Sequence, residues 1–150
     1  PALVVFNNLF GSSAHSKLFV QLREREGLAY TVGSSLHVFS GMMRVYAGID
    51  RKERLRVMKL IRQQLSDMKL GKFSDEDLLL SKKVLTTDAK LSQDRVSTIM
   101  EEAYNRSIYG DQVRTYSQWI DAVNSVSRED IMAVAKGIKL QAVYFMEGIQ

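Results

Sequence analysis

The sequence predicts a two-layer α+β domain, and three observations carry that fold class. Residues 42 to 49 alternate apolar and polar side chains with the period of a strand buried on one face only. From Asp50 onward apolar residues recur at helical spacing, in segments that open on Ser or Asp and close on Gly. A final β-prone run, Leu140 to Met146, follows the last of them. With 150 residues, a single proline and no low-complexity stretch, the chain reads as one domain without a linker.

Taken in order, ALVVFNNLFG is the first element. Leu3, Phe6 and Phe10, with Val5 and Leu9 beside them, predict a largely buried helix closed by Gly11 at the left-handed C′ position. A small-polar loop leads to a second helix with Ser16 as N-cap, Leu18, Phe19 and Leu22 as its apolar face, and Gly27 at its end. Residues 29 to 39 and 42 to 49 read as antiparallel strands around Ser40-Gly41. His37 falls in phase with Thr31, Gly33 and Ser35. Asp50 with Glu53 resembles a capping box ahead of Leu55, Met58, Ile61, Leu65 and Met68, which hold a helical period to Gly71. Ser74 with Asp77 opens a helix to about Leu91. Val96, Ile99, Met100, Ala103 and Tyr104 mark another, ending near Gly110. Trp119, Ile120 and Val123 mark a shorter helix, and Ser127 with Asp130 caps the last one, through Ile138. Three strands against six or more helices make a thin sheet, so one or more strands are expected to come from elsewhere. The chain opens directly on an apolar helix, which adds to the expectation of a fragment lacking its first strand. An exposed sheet edge, with Leu3, Phe6 and Phe10 uncovered beside it, would then favour self-association.

Composition narrows the function. Without cysteine there is no disulfide, thiolate metal site or cysteine nucleophile. The two histidines, His15 and His37, share no ligand spacing, and zinc needs three or four ligands. No metal site is therefore expected in these residues. A net charge of +4 raises the question of nucleic acid, but Lys and Arg interleave with Asp and Glu, as in RKERLR and SREDI. No nucleic-acid partner is expected. No apolar stretch reaches the ~20 residues of a membrane span, and no signal-like segment opens the chain, so the expected location is cytoplasmic without membrane association. The methionines fall at helical spacing and read as core fillers.

The most informative stretch is SKLFVQLREREGLAYTV, residues 16 to 32, where four charges precede a glycine and a strand. By itself Arg23 fits a solvated position near a helix C-terminus, where the dipole favours cations. Tyr30 fits an ordinary strand aromatic, as do Tyr46 and Tyr144. Glu24, Arg25 and Glu26 read as solvated charges.

The longer run NNLFGSSAHSKLFVQLREREGLAYTVGSS resembles the signature of the second half of M16-type metallopeptidases, the inverzincins. That group includes insulin-degrading enzyme, pitrilysin and the mitochondrial processing peptidase. Ser16-Lys17-Leu18-Phe19, Leu22-Arg23-Glu24 and Gly27-Leu28-Ala29-Tyr30 match it in order and spacing, while the loop GSSAHS departs from the family's glycine-rich form. The resemblance implies a mostly antiparallel sheet with helices packed on one face, in a domain used as homologous halves. It implies that zinc and the HxxEH general base belong to the complementary N-terminal half or to a partner M16 subunit. It also implies that Arg23 and Tyr30 reach across a closed chamber toward a peptide substrate, as catalytic and substrate-binding residues.

Three readings follow. The first is the C-terminal region of a zinc peptidase, inactive alone. The second is a non-catalytic homologue serving as scaffold or partner subunit, toward which Lys17 and the FGSSAHSKLF wording point. The third is a generic interaction domain with no chamber.

Overall fold

The computed structural model describes residues 1–148 and bears out an α+β fold, rich in helix around one two-stranded antiparallel sheet. Helix α1 (Ala2–Asn7) runs on into a π-helical turn, Asn8–Ser12. The π-wound helix α2 (Phe19–Arg25) follows a short loop. Strands β1 (Ala29–His37) and β2 (Met42–Ile49) form the hairpin. Five helices complete the chain: α3 (Arg54–Lys69), α4 (Asp75–Ser92), α5 (Val96–Tyr109), α6 (Tyr116–Asn124) and α7 (Arg128–Gly137).

The core is built where apolar faces converge on α1. Val5, Phe6, Leu9 and Phe10 are fully enclosed, with the Phe6 and Phe10 rings stacked at 5.3 Å. Leu18 and Leu22 of α2, Val32 of β1, Val57 and Met68 of α3, and Ile131 and Ala135 of α7 close around them. The uncovered first helix expected from the sequence is therefore not found. Helices α7 and α4 and strand β1 wrap α1, and only Leu3 of its apolar residues is exposed.

Gly11 also departs from expectation. It does not take a left-handed conformation but lies buried in the π turn against β1. A Cβ there would sit 2.5 Å from Ser34 Oγ, so the glycine is needed for close approach, not for a turn. Beside it the Ser34 hydroxyl donates to Asn7 Oδ1 at 2.7 Å, a buried polar tie between α1 and β1.

The helix starts are mostly as expected. Ser74 with Asp77 and Ser127 with Asp130 form reciprocal capping boxes, and Thr115 with Gln118 forms a third. Asp50 with Glu53 does not. Residues Arg51–Glu53 form a 3₁₀ turn, so the Glu53 N–H donates to the Asp50 carbonyl at 2.9 Å and no side-chain cap forms. In α3 the inward stripe is Val57, Leu60, Ile61, Leu65 and Met68, while Leu55 faces solvent.

Residues 140 to 146 do not form the expected strand. The segment lies beside the start of α3, with Arg54 stacked on the Phe145 ring at 4.6 Å and Arg51 paired with Glu147 at 3.2 Å. A strand is defined by its partner, and no described segment lies alongside to pair with this one.

Candidate functional site

The segment that bears Arg23 and Tyr30 is anchored at both ends. Ser16 is buried and caps α2 through a bond from the Phe19 N–H at 3.4 Å, as its position before the apolar run predicts. Leu18 and Leu22 sink into the core, which turns Arg23, Glu24 and Arg25 outward. Lys17 leaves the helix sideways to pair with Asp77 at 2.5 Å, joining the signature segment to the capping box of α4. Gly27, at φ +60°, ends the helix, and the Leu28 N–H reaches back to the Leu22 carbonyl at 2.8 Å. That bond spans one residue more than the usual capping bond, in keeping with a π-wound helix.

The strand that follows begins with an irregularity. Ala29 pairs with Ile49 and Thr31 with Gly48, so β1 spends two residues where β2 spends one, and Tyr30 is the extra residue of a β-bulge. The burial pattern follows: Ala29 and Val32 point into the core, and Tyr30 and Thr31 between them are both exposed. Tyr30 is 73% exposed although Ala29 just before it and Val32 just beyond Thr31 are fixed by core packing. The sequence carries a trace of this, because Ala29 and Val32 stand three apart where a regular strand would need an even spacing.

Arg23 is likewise exposed, with its guanidinium carbon 5.0 Å from the centre of the Phe19 ring one turn earlier. Among the described residues, no hydrogen bond or ring stacking joins Arg23 to Tyr30 directly. Glu26, expected to be solvated, is instead a tie. It accepts from Arg56 of α3 at 2.5 Å and from Gln21 at 3.2 Å, holding the end of α2 against the next layer.

Shallow surface grooves lie elsewhere, one of about 410 Å³ between Leu55 and Ser66 on α3 and one of about 480 Å³ between Ile99 and Ser107 on α5. Neither is lined by Arg23 or Tyr30. His15 lies in the loop before α2 and His37 at the far end of β1. Among the described residues no group of three or more His, Cys, Asp or Glu side chains is placed to hold a metal ion. No described helix is long and apolar enough to cross a membrane.

The chain is similar to known proteins in both sequence and fold. A family model described as the peptidase M16 inactive domain matches residues 1–85. A Bacillus subtilis protein named "Probable inactive metalloprotease YmfF" is 32% identical over 150 residues, covering 100% of this chain and 35% of that protein. An "Uncharacterized zinc protease YmxG" from the same organism is 28% identical over 136 residues, covering 89% of this chain and 33% of its own length. The chain thus spans about a third of the curated relatives it matches. Among solved structures, a conserved protein from Enterococcus faecalis superposes with a TM-score of 0.87 at 38% identity, over 90% of this chain and 32% of that one. A protease from Helicobacter pylori superposes at 0.74 with 18% identity, over 90% and 33%, a likeness of fold alone.

Proposed function

The chain belongs to the peptidase M16 family, and from that premise we propose that it forms half of a peptide-degrading chamber and presents Arg23 and Tyr30 to the substrate. The complementary N-terminal half, or a partner M16 subunit, supplies the rest. The observation that carries this reading is the bulge at Tyr30. It turns a bulky phenol out to solvent at the start of a strand in which Ala29 and Val32 are buried, and bulges of this kind re-aim side chains at functional sites.

Among the described residues no group of three or more His, Cys, Asp or Glu side chains is placed to hold zinc, and His15 and His37 stand apart in the sequence. Zinc therefore belongs to the complementary half in this reading, and the chain is inactive alone. Its own contribution is electrostatic. Peptide hydrolysis passes through a tetrahedral intermediate whose carbonyl oxygen gains negative charge, and a fixed phenol O–H donating to that oxygen stabilises it. The Arg23 guanidinium, with five donors and a permanent charge, holds a backbone carbonyl of the peptide. A cytoplasmic location belongs to the same reading.

The test is Tyr30→Phe in a complex reconstituted with the zinc-bearing half. The substitution removes one oxygen from an exposed ring, so the thermal midpoint stays in place. Turnover falls by about a hundredfold or more if the phenol donates to the oxyanion. Unchanged turnover rejects the catalytic role and leaves a scaffold. That second reading is favoured by one specific observation, the word "inactive" in the name of a relative that matches the whole chain. An HxxEH motif in the protein that completes the chamber separates the two.

A further inference from the structure

We propose that the outward face of the hairpin carries a carboxylate subsite built on Arg44, which selects peptides with an acidic side chain a few residues from the bond held at Tyr30. The inference rests on the chamber reading above for its substrate, but its geometry stands separately.

The register places Thr31 opposite Gly48, Gly33 opposite Tyr46, and Ser35 opposite Arg44, all on the face turned away from the helices. The bulge brings Tyr30 out on the same side, next to Thr31. Gly33 has no side chain, and the Tyr46 ring lies across it. A Cβ on Gly33 would meet Tyr46 Oη at 2.5 Å and Cζ at 2.7 Å. Tyr46 thus lies flat against β1, and the Arg44 guanidinium carbon sits 5.8 Å from the centre of its ring. The three residues make a chain of causes: an absent side chain lets a ring lie down, and the ring positions a guanidinium by cation–π attraction.

That guanidinium has no counter-charge. The hairpin from Gly27 to Ile49 contains no Asp or Glu, and among the described residues Arg44 has no carboxylate partner. Arg51, Arg56, Arg106 and Arg128 are each paired, and Arg44 belongs with the arginines that have no carboxylate partner among the described residues. Across from Arg44, Ser35 Oγ is buried with no hydrogen-bond partner among the described residues, so the donors this face offers a ligand are those of the guanidinium. A planar guanidinium stacked on a ring keeps its edge free, and that edge matches a carboxylate in two parallel hydrogen bonds. Tyr46 lies opposite Gly33 and Arg44 opposite Ser35, so at a strand rise of about 3.3 Å per residue an extended peptide with its reacting carbonyl at Tyr30 meets them about three to five residues away.

The experiment titrates the 150-residue chain at low ionic strength with three dansyl-labelled hexapeptides. The first is blocked at both ends and carries one Glu, the second replaces that Glu by Gln, and the third is the Gln peptide with a free C-terminal carboxylate. The Glu peptide is expected to bind at least about tenfold more tightly than the blocked Gln peptide, with a preference that shrinks in salt. Arg44→Ala abolishes the preference. Gly33→Ala and Tyr46→Leu reduce it while Arg44 is retained, and thermal melts establish that each variant is folded. In the reconstituted complex Arg44→Ala raises KM for the Glu substrate and leaves kcat, whereas Tyr30→Phe lowers kcat on both substrates alike. Either role can therefore fail without the other. Equal affinity for Glu and Gln, a preference that survives Arg44→Ala, or no measurable binding of the Glu peptide overturns the subsite. Tight binding of the free-carboxylate peptide alone overturns its assignment to an acidic side chain.

Discussion

At the scale of single residues, Asp77 holds two elements at once. Its carboxylate accepts from the Ser74 N–H at 2.9 Å as part of the capping box and from Lys17 at 2.5 Å. Burial pushes the carboxyl up, but the hydrogen bonds from Lys17 and Ser74, with the Lys17 charge, together hold it below the ordinary aspartate value. A carboxyl that titrates lower when folded adds stability above its unfolded value of about 3.9, and that stability is lost as pH falls through the folded value. Asp77→Asn is therefore expected to lower stability by about 1 kcal/mol at neutral pH. The gap to the parent protein should begin to narrow as pH falls below about 4 and close as the folded carboxyl is protonated, as measured by urea unfolding across a pH series. A gap that stays constant to pH 3 would contradict the linkage. Glu26 shows the same principle from another direction. In sequence it is one of four clustered charges, yet it alone finds Arg56 across the layer, because helix end and α3 are brought together by packing and not by local spacing.

Among elements, the α3–α4 turn is held from outside. Gly71 closes α3 at φ +71°, and Arg128 at the start of α7 donates to the Gly71 and Phe73 carbonyls at 2.6 and 2.7 Å. Its guanidinium also pairs with Asp75 at 2.5 Å and stacks on Phe73 at 4.6 Å. One side chain thus ties two carbonyls of the turn between α3 and α4, and the Gly71 carbonyl also accepts from the Phe73 N–H at 2.9 Å. Arg128→Ala is expected to cost about 2–3 kcal/mol, since two charged hydrogen bonds to the turn carbonyls and the pairing with Asp75 are lost together. A lowered urea midpoint with an unchanged slope is the signature, and a midpoint within error of the parent would refute the clamp. Capping was legible before the structure where the side chain itself makes the bond. TYSQ, residues 115 to 118, carries the same capping-box pattern as SDED and SRED. Asp50 misled because a short 3₁₀ turn intervenes, and no pattern of residue types distinguishes that from a direct helix start.

Over the whole molecule, apolar surface is unevenly covered. The first helix is enclosed, while α5 is exposed along its length, with Val96, Met100 and Tyr104 all open to solvent. Residues 140 to 146 combine exposed Val143 and Tyr144 with a backbone that has no ladder partner among the described residues. Open β-prone segments of low charge attract other strands. Sedimentation velocity is therefore expected to show concentration-dependent association of the chain, reduced by Val143→Lys or Tyr144→Lys. A monomer at all concentrations, or association indifferent to both substitutions, would count against it.

The order of elements up to the last helix, the hairpin, its two-faced alternation and most helix starts followed from the sequence, because period and capping are written in neighbouring residues. The strand expected at 140 to 146 did not form. The M16 signature that singles out Arg23 and Tyr30 was legible in the sequence as well. Tertiary structure alone decided the bulge that exposes Tyr30, the approach that requires Gly11, the ring laid over Gly33 and the partners of Glu26 and Lys17. Each of these depends on which distant segments meet, and burial, not local preference, determines that meeting.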